Sequence, residues 1–197
     1  MSQHIEIMRT DYDVILADPP WRYDFSKSDS RKIENQYDTM SLAQLEAHRD
    51  FVCSLHDGNA IMFMWATAPK LADAMRLLGA WGFTYKTFDV WVKVPRDRER
   101  DQLVLAEEMR AEEGEHYGMG YYTRVRHEPI LIATVGKFSP PEPARRPVSA
   151  FYAEVGRHSE KPLIEYERIE AMYPDARRVE LFARARREGW DAWGNEV

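Results

Sequence analysis

The 197-residue chain has a single cysteine, Cys53. No internal disulfide and no cysteine-based metal site can therefore form, and an intracellular, cytoplasmic protein is the simplest reading. No apolar run approaches the roughly 18 residues that a membrane-spanning helix needs. Residues 1–10 lack the basic-then-apolar layout of a signal peptide. An excess of positive charge is missing too: 27 Lys and Arg against 33 Asp and Glu leave a formal net charge of −6. That argues against tight non-specific DNA binding, which depends on neutralising phosphates, but leaves a nucleic-acid substrate open. The basic residues are bunched, as at Arg96, Arg98 and Arg100 or at Arg184, Arg186 and Arg187. Each bunch reads either as a solvated face or as part of a basic stripe on an acidic body. There is no Gly-x-Gly-x-x-Gly opening a helix after a strand, since Gly118 and Gly120 are too few and stand outside that context. His127 and His158 fit no zinc spacing, so no metal is expected.

What remains is an ordinary globular composition, 44% hydrophobic and 30% charged, and a length suited to one domain over residues 1–197. Strand-like and helix-like stretches alternate. Residues 12–17 form a short apolar run ending in Asp-Pro-Pro and read as a buried strand. Residues 22–40 are polar and turn-rich and read as a mobile loop. Ser41 begins a helix, with Gln44 placed as in a capping box and apolar residues at helical spacing through Leu55. Further strands are expected at residues 59–66, 84–94, 128–135, 150–155, 178–182 and 191–193. Helices are expected at 67–78, with Gly79 and Gly82 near its end, and at 159–172, with Pro162 in its first turn. Residues 95–120 are a charged insertion, a candidate substrate-recognition segment. This alternation predicts an open α/β sheet with helices on both faces. Such sheets bind ligands beyond the carboxyl ends of their strands, where Asp18 and Arg184 then lie.

Asp18-Pro19-Pro20-Trp21 is the sharpest chemical feature. The lone pair of an adenine amine is delocalised into the ring, so the nitrogen is a poor nucleophile. Holding both amine hydrogens draws it toward tetrahedral geometry. The Asp18 carboxylate can accept one hydrogen and the Pro19 carbonyl the other, while consecutive prolines restrict the backbone that aims that carbonyl. Trp21 can stack on a base taken out of its helix. Taken alone, Asp-Pro-Pro is equally a strand-ending turn.

The chain resembles the adenine N6-methyltransferases that include the catalytic subunit of the eukaryotic mRNA N6-adenosine methyltransferase and bacterial and phage members. The resemblance runs from Tyr12 to Glu196 through blocks in a shared order. These are Asp18 to Trp21; Phe63-Met64-Trp65 with Thr67; Gly82-Phe83 and Trp91-Val92-Lys93; Gly118-Met119-Gly120-Tyr121 through Arg124 to Glu128; His158 to Pro162; Glu180 to Arg184; and Gly189 to Glu196. It implies a Rossmann-like methyltransferase fold in permuted order, catalytic motif first and cofactor motif last, with S-adenosylmethionine as cofactor. A Glu-Leu-Phe-x-Arg block then replaces the glycine-rich cofactor turn.

In that frame Lys161 holds the carboxylate of the cofactor's methionine part, helped by Ser159. Asn195 and Glu196 suit ribose hydroxyls and the adenine edge. Arg184 contacts the ribose region or orders the cofactor loop, Glu180 is a cofactor contact or a structural ion pair, and Asp18 counts on the cofactor side as well. Tyr121 and Arg124 match the substrate-side loop. Tyr23 and Tyr37 frame the loop that closes over the base. Trp65 either lines the base pocket or packs in the core.

Cofactor contacts that larger members carry upstream of the catalytic strand have no equivalent here, and there is no separate nucleic-acid module. DNA is the expected substrate, with a second copy or a partner subunit completing the nucleic-acid surface. RNA is the alternative, a cytosine N4 enzyme ranks lower, and a non-catalytic nucleic-acid binder is the remaining reading.

Overall fold

A computed structural model of the chain describes residues 9–23, 39–94, 122–123, 125–156 and 160–197. Expectations for most of the loop at 22–40, for the insertion at 95–120, and for Tyr37, Tyr121, Arg124, His158 and Ser159 lie outside the described residues. The elements are β1 (Val14–Ala17), α1 (Leu42–Glu46), α2 (Arg49–Ser54), β2 (Ala60–Trp65), α3 (Leu71–Ala80), β3 (Thr84–Val94), β4 (His127–Val135), β5 (Ala150–Glu154), α4 (Ile164–Met172), β6 (Arg178–Leu181) and β7 (Asp191–Trp193). The seven strands form one sheet in the order β5-β3-β4-β2-β1-β6-β7, the α/β architecture that the alternation of patterns predicts. The chain divides into two compact units. One spans Met1–Phe88, Ile130–Pro140 and Asp175–Val197, the other Asp89–Pro129 and Pro141–Pro174.

In the first unit β1 is central. Its four residues, Val-Ile-Leu-Ala, are all buried, as expected of a strand flanked on both sides. It pairs in parallel with β2 and with β6, and β6 pairs in parallel with β7. β4 runs antiparallel against β2. Alternate residues Ile15, Ala17, Met62, Met64, Leu131, Ala133, Val179 and Leu181 share one core with Leu45, Val52, Leu55, Ala74, Leu77 and Trp81 from the helical segments. The period of two along the strands meets the helical period over that face. Tyr12, buried just ahead of β1, donates its hydroxyl to Asp191 Oδ2 at 2.5 Å and ties the first strand to the last.

Several boundaries differ from the sequence reading. The capping box is present: Gln44 N donates to Ser41 Oγ, and Ser41 N donates to Gln44 Oε1. The helix it opens, however, divides at residues 47–48. His48 Nδ1 lies 2.9 Å from the Gln44 carbonyl, and a second helix starts from the His48 carbonyl. α3 begins after a short 3-10 turn, Ala68–Lys70. It ends where Gly82 takes φ 87° and Phe83 N donates to the Leu78 carbonyl. α4 starts at Ile164, not 159, so Pro162 precedes the helix instead of sitting in its first turn. A residue before proline is pushed out of the helical region, which keeps Lys161 outside the helix.

In the second unit β5 pairs in parallel with the end of β3, from Val90↔Ala150 to Val94↔Glu154. Beneath it lies a buried charged cluster. Arg168 donates to Asp89 Oδ2 at 2.6 Å, to Glu165 Oε2 at 3.2 Å and to the Val148 carbonyl at 2.9 Å, and its guanidinium covers the Phe151 ring. One arginine cannot neutralise two carboxylates out of water. Burial drives Glu165 up to about 8, against the opposing pull of Arg168. Its Oε1 is buried without a hydrogen-bond partner. Asp89 is also raised by burial, with Arg168 pulling the other way. A neutral Glu165 leaves Arg168 and Asp89 as a balanced pair.

The folded chain thus keeps the Glu165 proton up to about pH 8, whereas the unfolded chain releases it near the ordinary value of 4.5. Between those limits folding takes up a proton, so stability falls as pH rises. Urea melts across this range are expected to show that decline in wild type and a flatter profile in Glu165→Gln.

Candidate functional site

The parallel strands β1, β2, β6 and β7 all point their carboxyl ends to one rim. In register, Ala17 lies beside Met64 and Leu181, and Leu181 beside Trp193. The residues that follow are therefore neighbours: Asp18 after β1, Thr67 after β2, Phe182 to Arg184 after β6, and Asn195 and Glu196 after β7. Asp18 N donates to the Leu181 carbonyl at 3.3 Å. Because β1 leads to β2 on one side while β6 lies on the other, Asp18 stands at the point where the strand order reverses, the usual ligand crevice of such sheets.

The Asp18-Pro19-Pro20-Trp21 turn is tightly built. The Pro19 carbonyl accepts from Trp21 N at 2.8 Å, and the Pro20 carbonyl accepts from Met40 N at 2.8 Å. The first bond sets the direction of the Pro19 oxygen, whose second lone pair can still accept. Asp18 is half-buried at the mouth of this turn.

Trp21 differs from expectation. It is only 6% exposed and belongs to the core cluster, with its indole N–H donating to the Trp65 carbonyl at 3.3 Å. A ring packed in this way is not presented for stacking on a base. It braces the end of β1 against the end of β2. Trp65, 2% exposed, packs in the core as well and does not line an open pocket. An aromatic ring that does reach the rim is that of Tyr23. It is half-buried, its hydroxyl lies 2.6 Å from Thr67 Oγ1, and Lys70 Nζ sits 5.6 Å from its ring centre.

The turns after β6 and β7 are shaped by backbone as much as by side chains. β6 stops at Leu181, one residue before the sequence reading, because Phe182 turns to φ 61°. Among the described residues it is the one non-glycine with positive φ, a conformation that costs an aromatic residue roughly 1–3 kcal/mol. Rings surround it: Trp193 at 5.3 Å, His48 at 6.0 Å and Trp81 at 6.4 Å. Trp193 also meets Phe51 at 4.7 Å. Beyond the turn, Ala183 N donates to the Trp193 carbonyl at 3.0 Å. Gly194 lies so close that a Cβ there would fall 2.2 Å from the Ala183 oxygen. Arg184 is half-buried, while Asn195 and Glu196 are exposed on the turn after β7. Glu180 is buried within β6, in register with Leu16 and Ala192.

Lys161 belongs to the second unit. There Glu128, at the start of β4, accepts from Lys93 Nζ at 2.5 Å and lies 3.6 Å from Lys161 Nζ. Burial alone would raise Glu128, but the charges of Lys161 and Lys93 outweigh it and hold the carboxyl below its usual range. Two ammoniums thus face the Glu128 carboxylate. Lys93 is also held 5.0 Å over the Trp91 ring. The sequence reading of the site missed this triad and the left-handed Phe182. A charged Glu128 directly ahead of the apolar Pro129-Ile130-Leu131 was the available signal for the first, and nothing local signals the second.

A family model described as MT-A70 matches residues 12–196. The type II methyltransferase M.MunI of a Mycoplasma species is 33% identical over 98% of this chain and 80% of its own length. A putative N(6)-adenosine-methyltransferase MT-A70-like of Medicago truncatula is 24% identical over 94% of this chain, which spans 26% of that protein. The N(6)-adenine-specific methyltransferase METTL4 of Homo sapiens is 27% identical over 96% of this chain, which spans 38% of it.

The buried setting of Trp21 has a measurable consequence. Trp21→Ala is expected to lose about 3–5 kcal/mol of stability in urea unfolding, as for a core tryptophan. A ring serving only to stack on a base would leave stability unchanged and raise only the KM for nucleic acid.

Proposed function

The chain belongs to the MT-A70 family, and from that premise we propose that it transfers a methyl group from S-adenosylmethionine to the N6 amine of adenine in DNA. The observation that carries this reading is the position of Asp18 and the Pro19 carbonyl at the reversal point of the sheet, beside the turns after β6 and β7.

The residues on the rim fit the cofactor chemically. Asn195 and Glu196 offer an amide and a carboxylate for hydroxyls and an adenine edge. Arg184 stands on the adjoining turn. In the second unit, Lys161 beside Glu128 carries an ammonium of the kind that suits a carboxylate. When bound, S-adenosylmethionine supplies an electrophilic methyl group on a sulfonium.

The work of the protein is then on the amine. Asp18 and the Pro19 oxygen accept its two hydrogens, weakening conjugation with the ring and directing the lone pair outward. As the nitrogen gains positive charge in the transition state, the same two acceptors stabilise it more strongly than they do the ground state. No base is needed beforehand, because the proton becomes acidic only after attack. The target adenine has to leave its stack to reach the rim, and Tyr23, held by Thr67 and Lys70, is the ring suited to receive it.

DNA is favoured over RNA by the likeness to M.MunI, a type II methyltransferase, across most of both lengths. Target choice falls to loop residues and to a second copy or partner subunit. Among the described residues no helix is long and apolar enough to cross a membrane, and the single cysteine suits the reducing cytoplasm.

Labelled S-adenosylmethionine given with single-stranded DNA, double-stranded DNA and RNA is expected to yield N6-methyldeoxyadenosine on digestion. Asp18→Ala should lower kcat about a hundred- to a thousandfold, the scale of a lost transition-state hydrogen-bond partner. Label only in RNA would move the substrate, and no transfer to any nucleic acid would sink the reading. Lys161→Met should raise the KM for the cofactor about tenfold or more while leaving kcat at saturation within about threefold, as for an interaction equal in ground and transition states.

A further inference from the structure

The cofactor motif of this chain contains no glycine, yet its backbone adopts a conformation that glycine usually supplies. Phe182 sits at φ 61° directly after β6, where a glycine-rich turn would ordinarily approach a nucleotide. A left-handed phenylalanine persists only if its surroundings impose it. Those surroundings are the rings of Trp81, Trp193 and His48, drawn from the end of α3, from β7 and from the junction of α1 and α2. Trp81 is itself fixed, fully buried with its indole N–H donating to the Leu45 carbonyl at 3.0 Å.

The second half of the arrangement lies after β7. Gly194 presses against Ala183, and an added Cβ would meet the Ala183 oxygen at 2.2 Å and its nitrogen at 2.7 Å. Both are backbone atoms, so no side-chain rotation relieves the clash. The glycine that this motif lacks after β6 is in effect supplied from the neighbouring turn. Together the left-handed Phe182 and the absent Cβ at Gly194 bring the turn bearing Arg184 against the turn bearing Asn195 and Glu196.

We infer that Phe182 and Gly194 are positioning residues for the cofactor: their backbone geometry, locked by the aromatic cluster, pre-organises the two turns that receive the nucleoside part of S-adenosylmethionine. This rests on the reading that the rim binds that cofactor. A pre-formed turn spares binding the cost of ordering it. Loosening it therefore weakens cofactor affinity without touching the acceptors at Asp18 and Pro19, which act on the other reactant.

The test measures S-adenosylmethionine affinity by calorimetry on the full chain, with circular dichroism to verify folding and kcat taken at saturating cofactor. Phe182→Asn keeps a residue that tolerates positive φ, whereas Phe182→Val keeps an apolar but β-branched one that does not. If the backbone matters, the Asn variant binds within about threefold of wild type and the Val variant loses at least about tenfold. Simple packing predicts the opposite order, because valine preserves more buried apolar surface. Gly194→Ala should also lose at least about tenfold in affinity, with kcat little changed. Gly189→Ala strains a left-handed backbone position that presses on neither turn, so as the control for backbone strain elsewhere it should bind within about threefold of wild type. Valine binding as well as or better than asparagine, or a folded Gly194→Ala with wild-type affinity, would overturn the inference alone. A wild-type chain that binds no S-adenosylmethionine would remove it together with the reading beneath it.

Discussion

The parallel pairing of β1 with β2 on one side and β6 on the other is the constraint from which the site follows. Parallel strands end on the same side, so every loop leaving β1, β2, β6 and β7 emerges at one rim. The reversal of strand order at β1 opens a crevice there. A one-residue slip would carry Ile15, Ala17, Val179 and Leu181 off the core face and would move Asp18 away from its bond to Leu181. The buried face therefore fixes the register of the strands and, with it, the position of the Asp18 carboxylate.

Aromatic residues play a second structural part at this rim. Trp21 and Trp81 donate their ring N–H groups to backbone carbonyls and are buried to 6% and 0% exposure. Each closes a joint between an element end and its neighbour, a task suited to a large ring with one polar handle. The motif tryptophan is thus a brace for the adjoining Pro19 carbonyl. Tyr23, nearer the rim, has both its hydroxyl and its ring face held from the β2 side.

The charged groups divide by task. In the cluster of Arg168, Asp89 and Glu165 the cation is outnumbered by carboxylates, and burial is relieved by keeping Glu165 protonated. Around Glu128 the charges of Lys161 and Lys93 outweigh burial, so its carboxyl is held below its usual range and stays ionised. The same residue types in similar burial give opposite protonation states because the count of opposite charges differs.

Much of the architecture was legible from local pattern. The four buried residues of β1, the capping box at Ser41 and Gln44, the glycine stop after α3 and the short strand at Asp191–Trp193 are each written in a few adjacent residues. Asp18, Pro19, Lys161, Arg184, Asn195 and Glu196 could likewise be picked out along the chain as candidates for the proposed chemistry. What only the tertiary structure decided involves residues far apart in sequence. Trp21 is a brace because Trp65 offers it a carbonyl, Glu128 is ionised because Lys93 and Lys161 converge on it, and Phe182 is left-handed because rings from three other segments close around it. Local sequence determines what each group is able to do, whereas burial and non-local partners determine which of those things it does. Those partners come together only when the strands pair and bury their common face.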